Sequence, residues 1–165
     1  MFPERRLLIA FVVCVVLYSM GHLWDFFYAI GYVAITISFV GLGYNIIRLY
    51  LYKGTVTATR KVDINMSNGM DNLVEISLAN SFPYSVNIVV LDEAPDILQL
   101  RDNVLTATLE PGAQKTLSYN IHPVKRGLYT FHNTNVFVNV WPFFVSRRIV
   151  SSNEQHVRVY PAFKF

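Results

Sequence analysis

Two apolar runs occupy the first third of the chain, and the hydrophobic period changes abruptly after them. Residues 7–23 are apolar apart from Cys14, Tyr18, Ser19 and His22, and residues 26–47 contain no Asp, Glu, Lys or Arg. At a rise of about 1.5 Å per residue the second run covers a hydrocarbon layer of roughly 30 Å and reads as a transmembrane helix. The first is a little short for a perpendicular span unless Arg5 and Arg6 snorkel back to the surface. The pattern predicts a transmembrane helical hairpin over residues 1–53, with helices at about 7–23 and 26–52. Lys53-Gly54 is expected to end the second helix, glycine supplying a left-handed cap. A cleaved signal peptide is the rival reading of the first run, although Ser19-Met20-Gly21 is a poor cleavage site and Trp24 and Phe26 crowd it.

From Thr55 the period is two. Alternating runs at 55–64, 73–79, 85–91, 98–109, 115–122, 128–140 and 145–160 are divided by turn residues. Asn68-Gly69, Asp92-Glu93-Ala94-Pro95 and Glu110-Pro111-Gly112 are such dividers, with further breaks near Asp102-Asn103 and at Ser151-Ser152-Asn153. Val74, Ile76 and Leu78 share one face of their run, as do Leu117, Tyr119 and Ile121. No long helical pattern follows Tyr52. The expectation is a membrane-anchored all-β protein: the helical hairpin, then one domain at 54–165 folded as an immunoglobulin-like antiparallel β-sandwich of about seven strands.

Composition refines this in three respects. The hydrophobic fraction of 53% is concentrated before Tyr52, so the remainder is ordinary for a folded domain. The net charge of +3 is also uneven, because Arg5, Arg6, Arg48 and Lys53 flank the apolar runs while the tail nearly balances its charges; a nucleic-acid footprint is unsupported. Cys14 is the single cysteine and has no partner for a disulfide or metal site. The loop 21–25 carries no Lys or Arg, whereas Arg5, Arg6, Arg48, Lys53, Arg60 and Lys61 fall on the other side, so the positive-inside rule places the tail in the cytoplasm.

Gly31, Ala34, Ser38 and Gly41 recur at helical spacing and form a small-residue face for another helix, either the first helix of the same chain or a second copy. Trp24, Tyr28, Tyr32, Tyr50 and Tyr52 fall near the expected membrane interfaces as an aromatic belt. Asp63-Ile64-Asn65-Met66-Ser67 is close to a D-x-S-x-S metal motif and to the start of a calcium loop, but Asn65 replaces the first serine and Asn68 stands where the loop needs glycine. His22, His122, His132 and His156 are scattered without ligand spacing. Asp92, Glu93 and Asp96 beside a proline read as a solvated loop. No nucleophile elbow, phosphate loop or H-E-x-x-H occurs, so no enzyme activity, metal, cofactor or small-molecule substrate is expected.

Three pieces carry a family resemblance: Asp92-x-x-Pro95, His122-Pro123-Val124-Lys125-Arg126-Gly127-x-Tyr129-x-Phe131, and the terminal Val159-Tyr160-Pro161. In order and spacing, and with two apolar runs before them, they resemble the membrane-proximal part of the bacterial domain-of-unknown-function 58 family. The resemblance implies a multi-pass protein of the bacterial inner membrane whose sandwich leads into a von Willebrand A-like domain, often encoded beside a MoxR-type AAA+ ATPase. The chain stops at Phe165, before that second domain and its D-x-S-x-S motif, and Asn139-Val140-Trp141-Pro142-Phe143-Phe144 departs from the family's Ser-Pro-Leu-Gly-like turn. Lys125-Arg126-Gly127 is expected as a hairpin turn, with Tyr129 and Phe131 as core aromatics. Arg126 would either dock a partner's carboxylate or tie its turn to Asp92 or Glu93. Tyr160-Pro161 ends the last strand.

The expected function is a non-enzymatic, membrane-anchored scaffold or accessory protein that partners the ATPase, von Willebrand A-type proteins and other membrane proteins of the same system. The alternatives are an outward-facing adhesive or envelope-binding module, and the N-terminal piece of a longer family member whose activity lies downstream.

Overall fold

A run of apolar residues without alternation satisfies its own backbone most simply as a helix, and both N-terminal runs are helical in the computed structural model, which describes residues 2–95, 98, 104–152 and 154–161. The chain divides into two units, one comprising Met1–Lys53 and Val138–Arg148, the other Gly54–Phe137 and Ile149–Phe165.

In the first unit, β1 (Phe2–Pro3) precedes α1 (Arg5–Met20) and α2 (Phe26–Ile46), and α2 runs on through a π-helical turn, Ile47–Leu51. Apolar side chains point outward around both helices, among them Leu8, Phe11, Val12 and Val16 on α1 and Val33, Ile37, Phe39 and Val40 on α2. The continuous helix Phe26–Leu51 is long and apolar enough to cross a membrane, and 6% of its most apolar stretch is buried. The other helix is shorter than the run at 7–23. With 16 residues, α1 is about 24 Å long and stops where Gly21 meets the Tyr28 ring, 2.6 Å from where a Cβ would sit. Among the described residues, length and composition therefore support one spanning helix rather than two.

The end of the long helix also differs from expectation. Tyr52 is already extended, with φ −72° and ψ 131°, and the glycines with positive φ are Gly69, Gly112 and Gly127, not Gly54. Gly54 is no left-handed cap. Its role is close packing, because a Cβ there would lie 2.3 Å from Cδ1 of the buried Phe82.

The second unit is a β-sandwich. Its strands are β2 (Val56–Val62), β3 (Asn65–Ser67), β4 (Asn72–Asn80), β5 (Val86–Asp92), β6 (Val104–Leu109), β7 (Gln114–Ile121), β8 (Gly127–Phe131), β9 (Thr134–Asn139), β10 (Val145–Ser151) and β11 (Gln155–Tyr160), of which β9 and β10 extend into the first unit. One sheet has the order β2-β4-β7, antiparallel throughout, with Ala58 opposite Leu78, Ile76 opposite Leu117 and Val74 opposite Tyr119. The other layer contains β3-β11-β8 and β9-β5-β6, stitched where Glu93 N donates to Asn133 O (3.1 Å) and His132 N donates to Glu93 O (3.0 Å). Alternation sends Val74, Ile76, Leu78, Val86, Ile88 and Val90 inward, all of them buried, and Val74 packs in one cluster with Phe131 and Val157.

Three features depart from the expected strands and turns. The run at 55–64 yields β2, which ends at Val62; the chain changes sheet at Asp63-Ile64, and an additional short strand beyond the run, β3, pairs parallel with β11, so the sandwich is not wholly antiparallel. The run at 128–140 splits at His132-Asn133. Lys125-Arg126-Gly127 is not a hairpin turn: β7 pairs with β4 whereas β8 pairs with β11, so this segment crosses from one sheet to the other. The Tyr129 hydroxyl donates to Lys125 O (2.6 Å), closing the crossing in the manner of the tyrosine corner of immunoglobulin-like sandwiches. The expected break near Asp102-Asn103, together with Asp96 and Asn153, lies outside the described residues. Gly112 has φ 69° in the turn after Pro111, the conformation for which glycine is suited.

Gly54→Ala forces the enclosed Phe82 ring to move. We expect a loss of about 1–3 kcal/mol in stability, read by denaturant unfolding of the detergent-solubilised chain, with Gly43→Ala, which meets nothing within 4 Å, close to neutral.

Candidate functional site

Strand alternation places an ion pair inside the sandwich. On β2 the inward positions are Val56, Ala58 and Arg60; on β5 they are Val86, Ile88, Val90 and Asp92. Arg60 is 2% exposed and Asp92 3%, and Arg60 Nη1 lies 3.5 Å from Asp92 Oδ1. The carboxylate also accepts hydrogen bonds from Tyr119 Oη (2.6 Å) on β7 and Thr134 Oγ1 (2.8 Å) on β9. Arg60 Nη2 donates to His132 O, and the guanidinium sits over the Phe131 ring, 5.1 Å from its centroid. The cluster joins the two layers, since Arg60 and Tyr119 belong to one sheet and Asp92 and Thr134 to the other.

Its electrostatics follow from enclosure. Burial pulls the Arg60 pKa down from its ordinary value, against the opposing pull of Asp92, Tyr119 and Glu93. Burial pushes the Tyr119 phenol up, and the negative charge of Asp92 and the hydrogen bond to it push further the same way. Tyr119 therefore stays protonated and donating. These groups are committed to one another, which is the chemistry of a structural clamp.

The motif residues are not gathered into one site. Asp92 and Tyr129 are buried, Pro95 is half-buried, and Lys125, Arg126, Gly127, Tyr160 and Pro161 are exposed. The expected tie from Arg126 to Asp92 or Glu93 is replaced, because Asp92 pairs with Arg60 and Glu93 accepts from Asn135 Nδ2 (2.6 Å). Pro95 O accepts from Leu98 N (3.0 Å). Tyr160 pairs with Ser67 at the end of β11, and its carbonyl accepts from Asn68 N (2.8 Å). Arg60 is also misplaced by the positive-inside count, since its charge is sealed in the sandwich and cannot face lipid headgroups. The overlooked signal was available: a charged residue in the inward phase of a strand requires a partner in the inward phase of another.

The small-residue face divides between two neighbours within the first unit. A Cβ at Gly31 would lie 3.6 Å from Tyr18 N, and Ser38 Oγ is 3.8 Å from Cys14 Sγ, so these positions meet α1. Ser38 Oγ also donates to Ala34 O (2.8 Å). Gly41 instead faces the tip of the β9–β10 hairpin, where Phe144 Cε2 is 2.9 Å from where its Cβ would be. One turn further along, Asn45 is fully buried: Nδ2 donates to Val140 O (2.8 Å), and Oδ1 accepts from Val145 N (2.9 Å). Its carboxamide thus acts as a short strand, satisfying both ends of the tip. Glu4 N donates to Phe144 O (2.9 Å), Arg147 Nη1 donates to Leu49 O (2.7 Å), and β1 pairs Phe2 with Ser146 and Pro3 with Val145. A groove of about 630 Å³ between α1 and α2 is lined by Phe11, Cys14, Tyr18, Ile35, Ser38 and Phe39 among others. Among the described residues no group of three or more His, Cys, Asp or Glu side chains is placed to hold a metal ion.

Two measurements test the clamp. Asp92→Ala leaves a buried cation unmatched and is expected to cost about 3–5 kcal/mol in denaturant unfolding, much of it recovered in the Arg60→Met/Asp92→Leu double variant. Because the folded-state pKa of Tyr119 is raised, its contribution is complete below 10.0, the ordinary value, and is lost as pH rises beyond it. Tyr119→Phe should therefore show a shallower alkaline decline in stability than the parent chain.

No protein-family profile matches the chain, and no curated protein matches it in sequence. Solved structures do. A match to Escherichia coli alpha-2-macroglobulin has 18% identity and a TM-score of 0.51, covering 66% of this chain and 7% of that one. The CARDB domain of a Pyrococcus furiosus protein, solved with two metal ions, matches at 18% identity and a TM-score of 0.44 over 65% of this chain and 89% of the domain. A PapD-like domain of human CEP192 matches at 14% identity and a TM-score of 0.45 over 66% and 87% respectively. At such identities the macroglobulin likeness shows fold alone. Together with the strand pairing and the corner at Tyr129, the chain has N-terminal helices, one of them long and apolar, followed by a β-sandwich of immunoglobulin-like type.

Proposed function

We propose that this chain is a non-enzymatic, membrane-anchored sandwich module that holds a protein partner close to a bilayer. The observation that carries this reading is the helix Phe26–Leu51, apolar on every side and almost unburied, which would be untenable in water at that length. In this reading α1 enters the bilayer beside α2 as a shorter companion. Its outward apolar residues favour lipid, and Arg5 and Arg6 at its start can snorkel to headgroups across the missing few ångströms. The loop 21–25 then lies outside and the sandwich in the cytoplasm, as the distribution of Arg5, Arg6, Arg48 and Lys53 favours even with Arg60 discounted.

The inner membrane of a bacterium, a MoxR-type ATPase and von Willebrand A-type partners rest on the sequence motifs around Asp92, Arg126 and Tyr160 alone, which is an argument by analogy. The exposed parts of those motifs, the Lys125-Arg126 crossing and Tyr160-Pro161, are the surfaces a partner would meet in this reading.

The anchor is tested by alkaline carbonate extraction, which should leave the chain in the membrane pellet; release into the supernatant would defeat it. Orientation is tested in a Cys14→Ser background with an impermeant maleimide. Leu23→Cys, in the exposed turn, should label on intact cells, and Thr57→Cys, on the outer face of β2, only after permeabilisation. The reverse pattern would establish the outward-facing adhesive module instead.

A further inference from the structure

We infer that the hairpin tip Val140-Trp141-Pro142-Phe143-Phe144 is a second membrane contact, an aromatic foot that rests in the headgroup and upper acyl zone of the leaflet where α2 emerges. This deepens the anchor reading and rests on it. The position of the tip follows from helix length. The helix Phe26–Leu51 has 26 residues, about 39 Å, while a hydrocarbon core of about 30 Å takes up roughly 20 of them. Counted from Phe26, the helix leaves the hydrocarbon near Asn45, and Gly41 and Asn45 are the residues on which the tip is seated.

The side chains suit that zone. Trp141 is 70% exposed even though the backbone carbonyls on either side of Trp141-Pro142-Phe143, those of Val140 and Phe144, are both bonded. Around it, aromatic rings alternate with cations: the Arg6 guanidinium lies 4.7 Å from the Phe143 ring centroid, Arg48 Nη1 donates to Tyr44 Oη (2.8 Å), and Arg147 stands 5.4 Å from the Tyr50 ring centroid. Rings with an apolar body, beside guanidinium groups able to meet phosphates, characterise a membrane interface rather than a protein core. Phe143 is a non-glycine residue at φ 64°, a conformation costing about 1–3 kcal/mol, and in it the ring comes under Arg6.

Irregular backbone is tolerated at membrane depth only where its polar groups are satisfied. Here Asn45 takes Val140 O and Val145 N, Glu4 N takes Phe144 O, and Phe143 N donates to Val140 O (2.7 Å). The tip can therefore be withdrawn from water without stranding these groups. The occupant is the interfacial layer of the bilayer that already surrounds α2; a protein partner seated on Trp141 is the competing outcome.

The chain contains two tryptophans, so Trp24→Phe leaves Trp141 as the single reporter and Trp141→Phe leaves Trp24. Both variants of the full chain are reconstituted in phosphatidylcholine–phosphatidylglycerol vesicles carrying a nitroxide either near the headgroup or at the acyl terminus. Trp141 should be quenched about twofold or more strongly by the shallow label than by the deep one, and shielded from aqueous iodide. Iodide quenching of Trp141 as strong as that of free tryptophan, without quenching by either lipid, overturns the inference, as does shielding from both iodide and lipid labels, the outcome for a protein-covered tip. If Trp24 is lipid-quenched while Trp141 is not, only this inference fails. If neither is, the anchor reading fails with it.

Discussion

A helix with no polar face is costly to leave in water, and the polar groups of the first unit are arranged accordingly. Its backbone is satisfied internally, and its hydroxyls turn back on the same helix, Thr36 to Tyr32 O and Ser38 to Ala34 O, both at 2.8 Å. Asn45 is the exception. Its carboxamide does not turn back on its own helix but bonds two backbone groups of a hairpin about a hundred residues away in sequence. An amide in an apolar run would be costly alone, and the tip backbone would be costly without it; each removes the penalty of the other.

The sandwich solves a related problem with charge. Sealing Arg60 among core side chains costs several kcal/mol of desolvation, and a single carboxylate at 3.5 Å does not offset that by itself. The balance is improved by the His132 carbonyl and Phe131 face on the cation, and by two hydroxyls on the anion. What such a cluster contributes above all is discrimination. A one-residue slip of β2 against β4 would turn Arg60 outward and leave Asp92 uncompensated, so the ion pair penalises a wrong register more heavily than an apolar pair would.

Both units thus use a polar group in an apolar setting as a pin between distant segments. Gly54 and Gly41 are the steric counterparts. At each, the missing side chain makes room for an aromatic ring, Phe82 in one unit and Phe144 in the other.

Much of the architecture was legible along the chain because it rests on local period. The apolar run at 26–47 announced its helix, the alternation at Val74, Ile76 and Leu78 its strand, and Glu110-Pro111-Gly112 its turn. Tyr160-Pro161 likewise marked the end of β11. Tertiary structure alone decided the rest. It sent Lys125-Arg126-Gly127 across two sheets, paired β3 parallel with β11, gave Asp92 to Arg60 rather than Arg126, and set the hairpin tip on Gly41 and Asn45. Period tells which face of a segment is apolar, because that depends on neighbours two to four residues away. It does not tell which distant segment will cover that face, and every pin in this molecule is a contact of that second kind.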